Sequence, residues 1–283
     1  MIDIKVHPGC TWRGHSEVSR YMQEISKRKE KYPALYDPDL FPYAFEVDRD
    51  GYSKIESFFD KRKLLRIKEE FNIYKSNFNL QYDDLYTEQV AHPLVNIPSV
   101  FDVVFDDKIL LLASQYFGCL PTLNNVQLRI SKQTNLSEHQ LPGNGQTTIF
   151  HCDKDSPRFL KAFFYLDDVG PRNGPFTYVH GSHMDKFSGW KQQNRWPDDQ
   201  IEKYYGQDRI INLTGEVGDL IIANTNGFHK GKKIEDGQRM LLTAYYSVHP
   251  SHFLPEYGGR IRKLDFDRLP ESKRPVADYL NKV

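Results

Sequence analysis

Only three cysteines, Cys10, Cys119 and Cys152, occur in 283 residues, and no two share a C-x-x-C spacing. That argues against a disulfide framework or a thiolate zinc knot and suits a reducing compartment such as the cytoplasm. An excess of either charge is lacking too: Lys+Arg and Asp+Glu both number 38. The chain therefore offers no electrostatic reason to expect nucleic acid or an anionic membrane as partner. Apolar runs are short, Ile109 to Ala113 being typical, and none reads as a membrane span. The stretch Met1-Ile2-Asp3-Ile4-Lys5 lacks the apolar core of a signal segment. Aromatic residues are plentiful, with 18 Phe, 17 Tyr and 3 Trp, as a β-rich core or an aromatic-walled pocket would require.

The texture changes once along the chain, near Pro121. Before it, helical spacing dominates. Val18, Tyr21, Met22 and Ile25 recur at i, i+3, i+4 and i+7 within Glu17 to Tyr32. Phe58, Phe59, Leu64, Leu65, Ile67 and Phe71 predict a second helix over Ile55 to Phe78. Val100 to Phe117 reads as a third, buried one. Pro33, Pro38 and Pro42 read as punctuation between the first two.

After Pro121 come short runs separated by Gly, Pro and Asn. They predict strands at Asn125–Ser131, Thr147–Asp153, Phe159–Leu166, Phe176–Val179, Ile210–Leu213, Leu220–Asn224, Phe228–Ile234 and Met240–Val248. The fold class expected is α+β with a mainly β core, a double-sheet jelly roll or barrel with N-terminal helices packed on one sheet. A single domain over 1–283 is expected: a helical buttress to about 120, the core over 121–249 and a surface-wrapping tail over 250–283. An insertion or lid at 186–207 carries Trp190, Trp196, Tyr204 and Tyr205.

The chemistry is concentrated in His151-Cys152-Asp153. Residues two apart on extended chain point the same way, so His151 and Asp153 project together and Cys152 faces away. With His229 as third ligand, two histidines and a carboxylate form the facial triad of non-haem Fe(II) oxygenases, which leaves metal positions open. A second H-x-D, His183-Met184-Asp185, follows Gly181-Ser182 and reads as a turn. His139, His180, His183 and His249 are read as surface or structural. Arg239 lies ten residues beyond His229, across Glu235-Asp236-Gly237. A two-residue Asp-Gly turn would pair Glu235 with Gln238 and put His229 and Arg239 on opposite faces. A three-residue loop with Gly237 left-handed would pair Ile234 with Gln238 and put both on one face, roughly 13 Å apart along the strands. A dicarboxylate plus a long arginine spans that gap. 2-Oxoglutarate would chelate the iron at one end, and a planar guanidinium would hold its other carboxylate.

Taken in order, His151-Cys-Asp153, Phe164-Tyr-Leu-Asp-Asp-Val169, Asn173-Gly-Pro175, Gly181-Ser-His183, His229 and Arg239 resemble the phytanoyl-CoA dioxygenase (PhyH-like) family of Fe(II)/2-oxoglutarate oxygenases. The likeness runs from about Gln127 to Val248. Asp50-Gly51-Tyr52 and Ile55-Glu56-Ser57-Phe58-Phe59 resemble the family's N-terminal lead-in. The resemblance implies a double-stranded β-helix, with His151, Asp153 and His229 as metal ligands and catalytic centre, and Arg239 on the 2-oxoglutarate 5-carboxylate. It also implies cosubstrate contacts from Gln127 and Arg129, for which a sheet-face or substrate contact is the alternative. His180 replaces the family's usual proline. Leu241 stands where many relatives have serine, and Thr243 is the hydroxyl on the same face.

The expected cofactors are Fe(II), 2-oxoglutarate and O2. The expected reaction is hydroxylation of an aliphatic C–H bond of an unidentified small molecule, releasing succinate and CO2. Asp153 argues against halogenation, which needs a small residue there. Two rivals remain: a non-catalytic metal- or ligand-binding jelly roll, and a cupin-like metalloenzyme without 2-oxoglutarate. Lys154, Arg158 and Arg172 are read as solvated rim charges. No oligomeric state is implied.

Overall fold

The computed structural model describes residues 15–82, 87–136, 147–248 and 259–283. Cys10, His139 and His249 lie outside them. The elements in the first half are α1 (His15–Lys31), α2 (Phe41–Asp50), β1 (Tyr52–Ile55), α3 (Lys61–Asn77), β2 (Gln81–Tyr82), β3 (Thr87–Gln89), α4 (Pro93–Asn96), α5 (Pro98–Val104) and α6 (Asp107–Phe117). There follow β4 (Thr122–Lys132), β5 (Leu160–Tyr165), β6 (Phe176–Val179), α7 (Asp198–Tyr205), β7 (Ile210–Leu213), β8 (Leu220–Ala223), β9 (His229–Gly231) and β10 (Gln238–Ser247). The chain closes with β11 (Arg260–Ile261), α8 (Lys263–Arg268) and β12 (Asn281–Lys282).

Seven strands in the order β1-β8-β5-β10-β4-β3-β2 form one antiparallel sheet, and β7-β6-β9 form a smaller one. Strand alternation sorts β10 cleanly. Met240, Leu242, Ala244 and Tyr246 join the core beneath the helices, while Arg239, Leu241 and Thr243 look toward the small sheet. Between the sheets, Phe163, Tyr165 and Ile221 of the large one meet Phe176, Tyr178 and Leu213 of the small one. This is a double-stranded β-helix buttressed on one side by helices.

The helical region lends more than helices, because β1, β2 and β3 extend the large sheet at its two edges. The C-terminal segment is likewise built in: Ile261, Leu269, Val276, Ala277 and Leu280 are buried in the main core.

Several local expectations change. The helix expected over Ile55–Phe78 starts only at Lys61, where the Asp60 side chain caps the Arg62 N–H, and Ile55 ends a strand. The helix expected over Val100–Phe117 is two, because Asp106 adopts extended backbone and caps the Lys108 N–H. Pro42 starts a helix rather than breaking one, since the first turn has no use for its missing N–H. Thr147–Asp153 is not a ladder strand. It is held by single antiparallel bridges, Phe150 to Trp196 and His151 to His229, and by the Asp153 N–H donating to Thr225 O at 2.8 Å.

Candidate active site

The H-x-D alternation survives without a ladder, because it follows from extended backbone alone. His151 and His229 are mutually hydrogen-bonded across their bridge, each N–H to the other's carbonyl at 3.0 Å. Directly opposed residues share a face, and the two imidazole centroids stand 4.3 Å apart. The Asp153 carboxylate closes the triangle, with Oδ1 3.9 Å from His151 Nε2 and Oδ2 3.4 Å from His229 Nε2. All three candidate ligand atoms lie within 4.8 Å of one another, the one such group found among the described residues. Cys152 faces the other way, its Sγ 3.0 Å from Lys186 Nζ.

The donor set fits a metal. His151 Nδ1 lies 2.9 Å from Ile149 O and His229 Nδ1 lies 3.0 Å from Gly227 O. A carbonyl can only accept, so each Nδ1 carries the hydrogen and each Nε2 presents its lone pair inward. Burial, and then His151, push His229 down to about 3, and burial lowers His151 as well. Both rings are therefore neutral ligands at ordinary pH. Burial opposes ionisation of Asp153, but Lys161 and the two histidines outweigh it and hold the carboxyl far below its usual range. Since the rings are neutral, Lys161 is the effective counter-charge.

Sequence reasoning missed Lys161. Its ammonium donates to Asp153 Oδ2 at 2.6 Å and lies 3.2 Å from Asp155 Oδ2. Burial works against its charge, yet those two carboxylates hold its pKa above the usual lysine value. The available signal was a lysine inside Leu160-Lys161-Ala162-Phe163-Phe164-Tyr165, an otherwise apolar strand, at a position of the inward-facing register.

Arg239 reaches this chamber by a different route from the one expected. Strands β9 and β10 do not form a hairpin; they belong to opposite sheets. Gly237 is left-handed, with φ +70°, but Gln238 pairs with Lys132 and Ile234 bridges Asn173. The loop is spent on crossing between sheets. Arg239 thus spans the gap between sheets rather than a distance along one strand. Its Nη1 donates to Gly174 O, and a Cβ added to Gly231 would lie 3.2 Å from Arg239 Nη2. Gly231 is two residues from His229 on the same face of β9, about 7 Å along the strand. The missing side chain there makes the slot that the guanidinium fills.

Gln127, Arg129 and Thr243 share the inward face: Thr243 stands between Gln127 on β4 and Phe163 on β5, and Leu241 between Arg129 and Tyr165. Tyr165, its hydroxyl pushed up to about 12 chiefly by burial, donates to Leu213 O at 2.8 Å beside this chamber.

The remaining candidates separate. His183 sits in a turn, fully buried, its Nε2 3.0 Å from Asp48 O, and is structural. His180 is half-buried near Asp50. Lys154 and Arg172 are rim groups, facing Asn194 and Glu235. Arg158 is not. It is 1% exposed, paired to Asp48 at 2.6 Å, and its Nη2 donates to Tyr116 O at 2.8 Å. The aromatic segment after Lys186 is packed down: Phe187 stacks on Tyr204 and on Phe228, the residue before His229, while Trp196 is bridged to Phe150.

A two-histidine, one-carboxylate centre between the sheets of a double-stranded β-helix, with a guanidinium beside it, defines an oxygenase of the iron and 2-oxoglutarate class. The chain belongs to the phytanoyl-CoA dioxygenase (PhyH) family, which it matches over residues 47–239. Comparison with curated proteins finds no match. Among solved structures it is similar to the epimerase SnoN from nogalamycin biosynthesis, in complex with Fe3+, α-ketoglutarate and nogalamycin RO: TM-score 0.56, 16% identity, 74% of this chain and 84% of that one covered. HygX from Streptomyces hygroscopicus, with nickel and 2-oxoglutarate bound, gives 0.55 at 16% identity, covering 88% and 96%. EctD from S. alaskensis, with 2-oxoglutarate and 5-hydroxyectoine, gives 0.54 at 16%, covering 76% and 79%. At such identities the likeness is one of fold.

Proposed function

We propose that this protein uses Fe(II), 2-oxoglutarate and O2 to hydroxylate an aliphatic C–H bond of a small molecule, with release of succinate and CO2. The observation that carries the reading is Arg239 lying over Gly231, on the face and strand that present His229. A guanidinium held at that spot suits the distal carboxylate of 2-oxoglutarate. Neighbouring folds include enzymes named as an epimerase and a carbocyclase.

His151, Asp153 and His229 would hold the metal, which supplies oxygen activation when bound. The carbonyls of Ile149 and Gly227 fix the tautomers, so neither histidine must lose a proton to bind. Lys161 holds one carboxylate oxygen of Asp153 and thereby limits how that carboxylate can ligate. Arg239 would receive the distal carboxylate of 2-oxoglutarate through paired hydrogen bonds. Gln127, Arg129 and Thr243 face the same space and would contact cosubstrate or substrate. Phe163, Phe176 and Leu241 supply an apolar wall that keeps water from the reacting end.

The test is anaerobic addition of 2-oxoglutarate to iron-loaded protein. A metal-to-cosubstrate charge-transfer band is expected, with 2-oxoglutarate-dependent succinate formation once O2 is admitted. Asp153→Ala abolishes succinate formation, whereas His183→Ala leaves the band in place. Absence of the band in the unaltered protein would refute the proposal.

A further inference from the structure

We infer that Arg195 is a specificity residue that receives an anionic group of the substrate, a carboxylate or a phosphate, on the side of the metal centre opposite Arg239. The inference rests on the iron and 2-oxoglutarate reading above.

Its geometry comes from two bridges. Trp196 N–H donates to Phe150 O at 2.8 Å, and Phe150 and Trp196 are antiparallel partners. In an antiparallel pair the next residue of one segment stands opposite the preceding residue of the other. Arg195 is therefore set across from His151, as His229 is on the other edge. Opposed residues share a face. Phe150 and Trp196 turn together into an aromatic cluster with Phe228, so Arg195 turns with His151 toward the metal site. Arg239 lies on the far side of His229, over Gly231. The two guanidinium-bearing residues thus bracket the triad.

The charge of Arg195 is poorly answered. It is half-buried, and its Nε is sequestered from solvent without a hydrogen-bond partner among the described residues. Its Nη1 reaches only the neighbouring carbonyl of Asn194, at 3.2 Å. Burial lowers its pKa, and Asp153 is the one carboxylate that acts against this. That carboxylate is already committed to Lys161 and to the metal position. Asp155 serves Lys161 as well. In the loaded site, the dianionic cosubstrate would balance Arg239 and the remaining metal charge. Arg195 would face the chamber with no carboxylate of its own among the described residues. A half-buried guanidinium whose Nε is sequestered without a partner is suited to a carboxylate or phosphate.

The experiment loads wild-type protein and Arg195→Gln with Ni(II) and 2-oxoglutarate. Binding is read by thermal shift across matched metabolite pairs: carboxylates against their carboxamides, and phosphate esters against their free alcohols. The Fe(II) proteins are screened in parallel for succinate formation. Anionic members are expected to bind in preference to their neutral partners. The responding pair type distinguishes carboxylate from phosphate. Arg195→Gln should weaken that binding at least tenfold while the Fe(II)–2-oxoglutarate band stays intact, and Arg195→Lys should recover part of the loss. Indifference to the anion, or to Arg195→Gln, overturns the inference and leaves the parent reading standing. A band lost in Arg195→Gln alone also overturns it, by assigning Arg195 to the cosubstrate. A band absent from wild type overturns both.

Discussion

Lys161 shows how one side chain can serve both folding and chemistry. An ammonium among Asp153, Asp155 and the rings of Phe159 and Tyr245 is costly to bury and is justified only by its two carboxylates. Lys161→Met should destabilise the metal-free protein by roughly 3–5 kcal/mol, the usual cost of leaving a buried charge unpaired. Ni(II) or Mn(II) would then supply the missing positive charge at Asp153. The metal-induced rise in Tm should therefore be larger in Lys161→Met than in wild type; an equal or smaller rise would mean that Lys161 is not the surrogate for metal charge. His229 makes a second residue-scale prediction. Its folded pKa is near 3, below its unfolded value, because of burial and then His151. The unfolded chain thus takes up a proton that the folded one refuses. The associated stability is fully present above about pH 6.5 and is lost as pH falls toward 3. Denaturant titration of metal-free protein from pH 7 to pH 4 should show this decline. His229→Gln should flatten it, with His151 and His92, both held low, leaving a residual slope.

At the scale of elements, most strands were legible, since alternation and turn residues mark them locally. Phe176–Val179 and Ile210–Leu213 match the expected bounds. Harder to read was which strands pair. The Glu235-Asp236-Gly237 stretch has the composition of a hairpin, and Gly237 has the backbone of one, yet it joins two sheets. Nothing local distinguishes a crossing from a hairpin, because the partner strands β4 and β6 lie far away in sequence. The site was legible where it depends on spacing, as in His151 and Asp153. It was illegible where it depends on pairing, as with Lys161. The crossing also explains Gly231, the one position on β9 where Arg239 needs room. Gly231→Val should displace the guanidinium, raising the Kd for 2-oxoglutarate tenfold or more while leaving Ni(II) affinity within about twofold. Calorimetry with metal alone, then with 2-oxoglutarate, separates the two. Equal loss of both would mean that β9 itself had been disturbed.

The whole molecule is held in one piece by polar ties as well as by a shared core. The helices and the large sheet bury one continuous cluster, but the H-x-D segment and the His183 turn lie at its margin. Helix α2 fastens both. Asp48 receives Arg158 through Oδ1 at 2.6 Å, its carbonyl lies 3.0 Å from His183 Nε2, and the Asp50 carbonyl accepts from Gly181 N–H at 2.8 Å. Tyr21 of α1 adds a hydroxyl donated to Arg158 O at 2.9 Å. Arg158 is five residues past the metal-ligand carboxylate, so these ties fix the approach of that segment to the barrel. Asp48→Ala strands a buried guanidinium and should cost roughly 3–5 kcal/mol. Arg158→Met in that background removes the stranded charge while keeping much of its volume, and should recover a large part of the loss. A double-mutant cycle by denaturant unfolding measures this. Ni(II) affinity followed through the same four proteins shows whether the loss reaches the site. If α2 positions the ligand segment, affinity falls in both single variants and in the double one, where stability returns but the tie does not. Affinity that simply tracks stability would reduce the Asp48–Arg158 pair to a clamp on the fold.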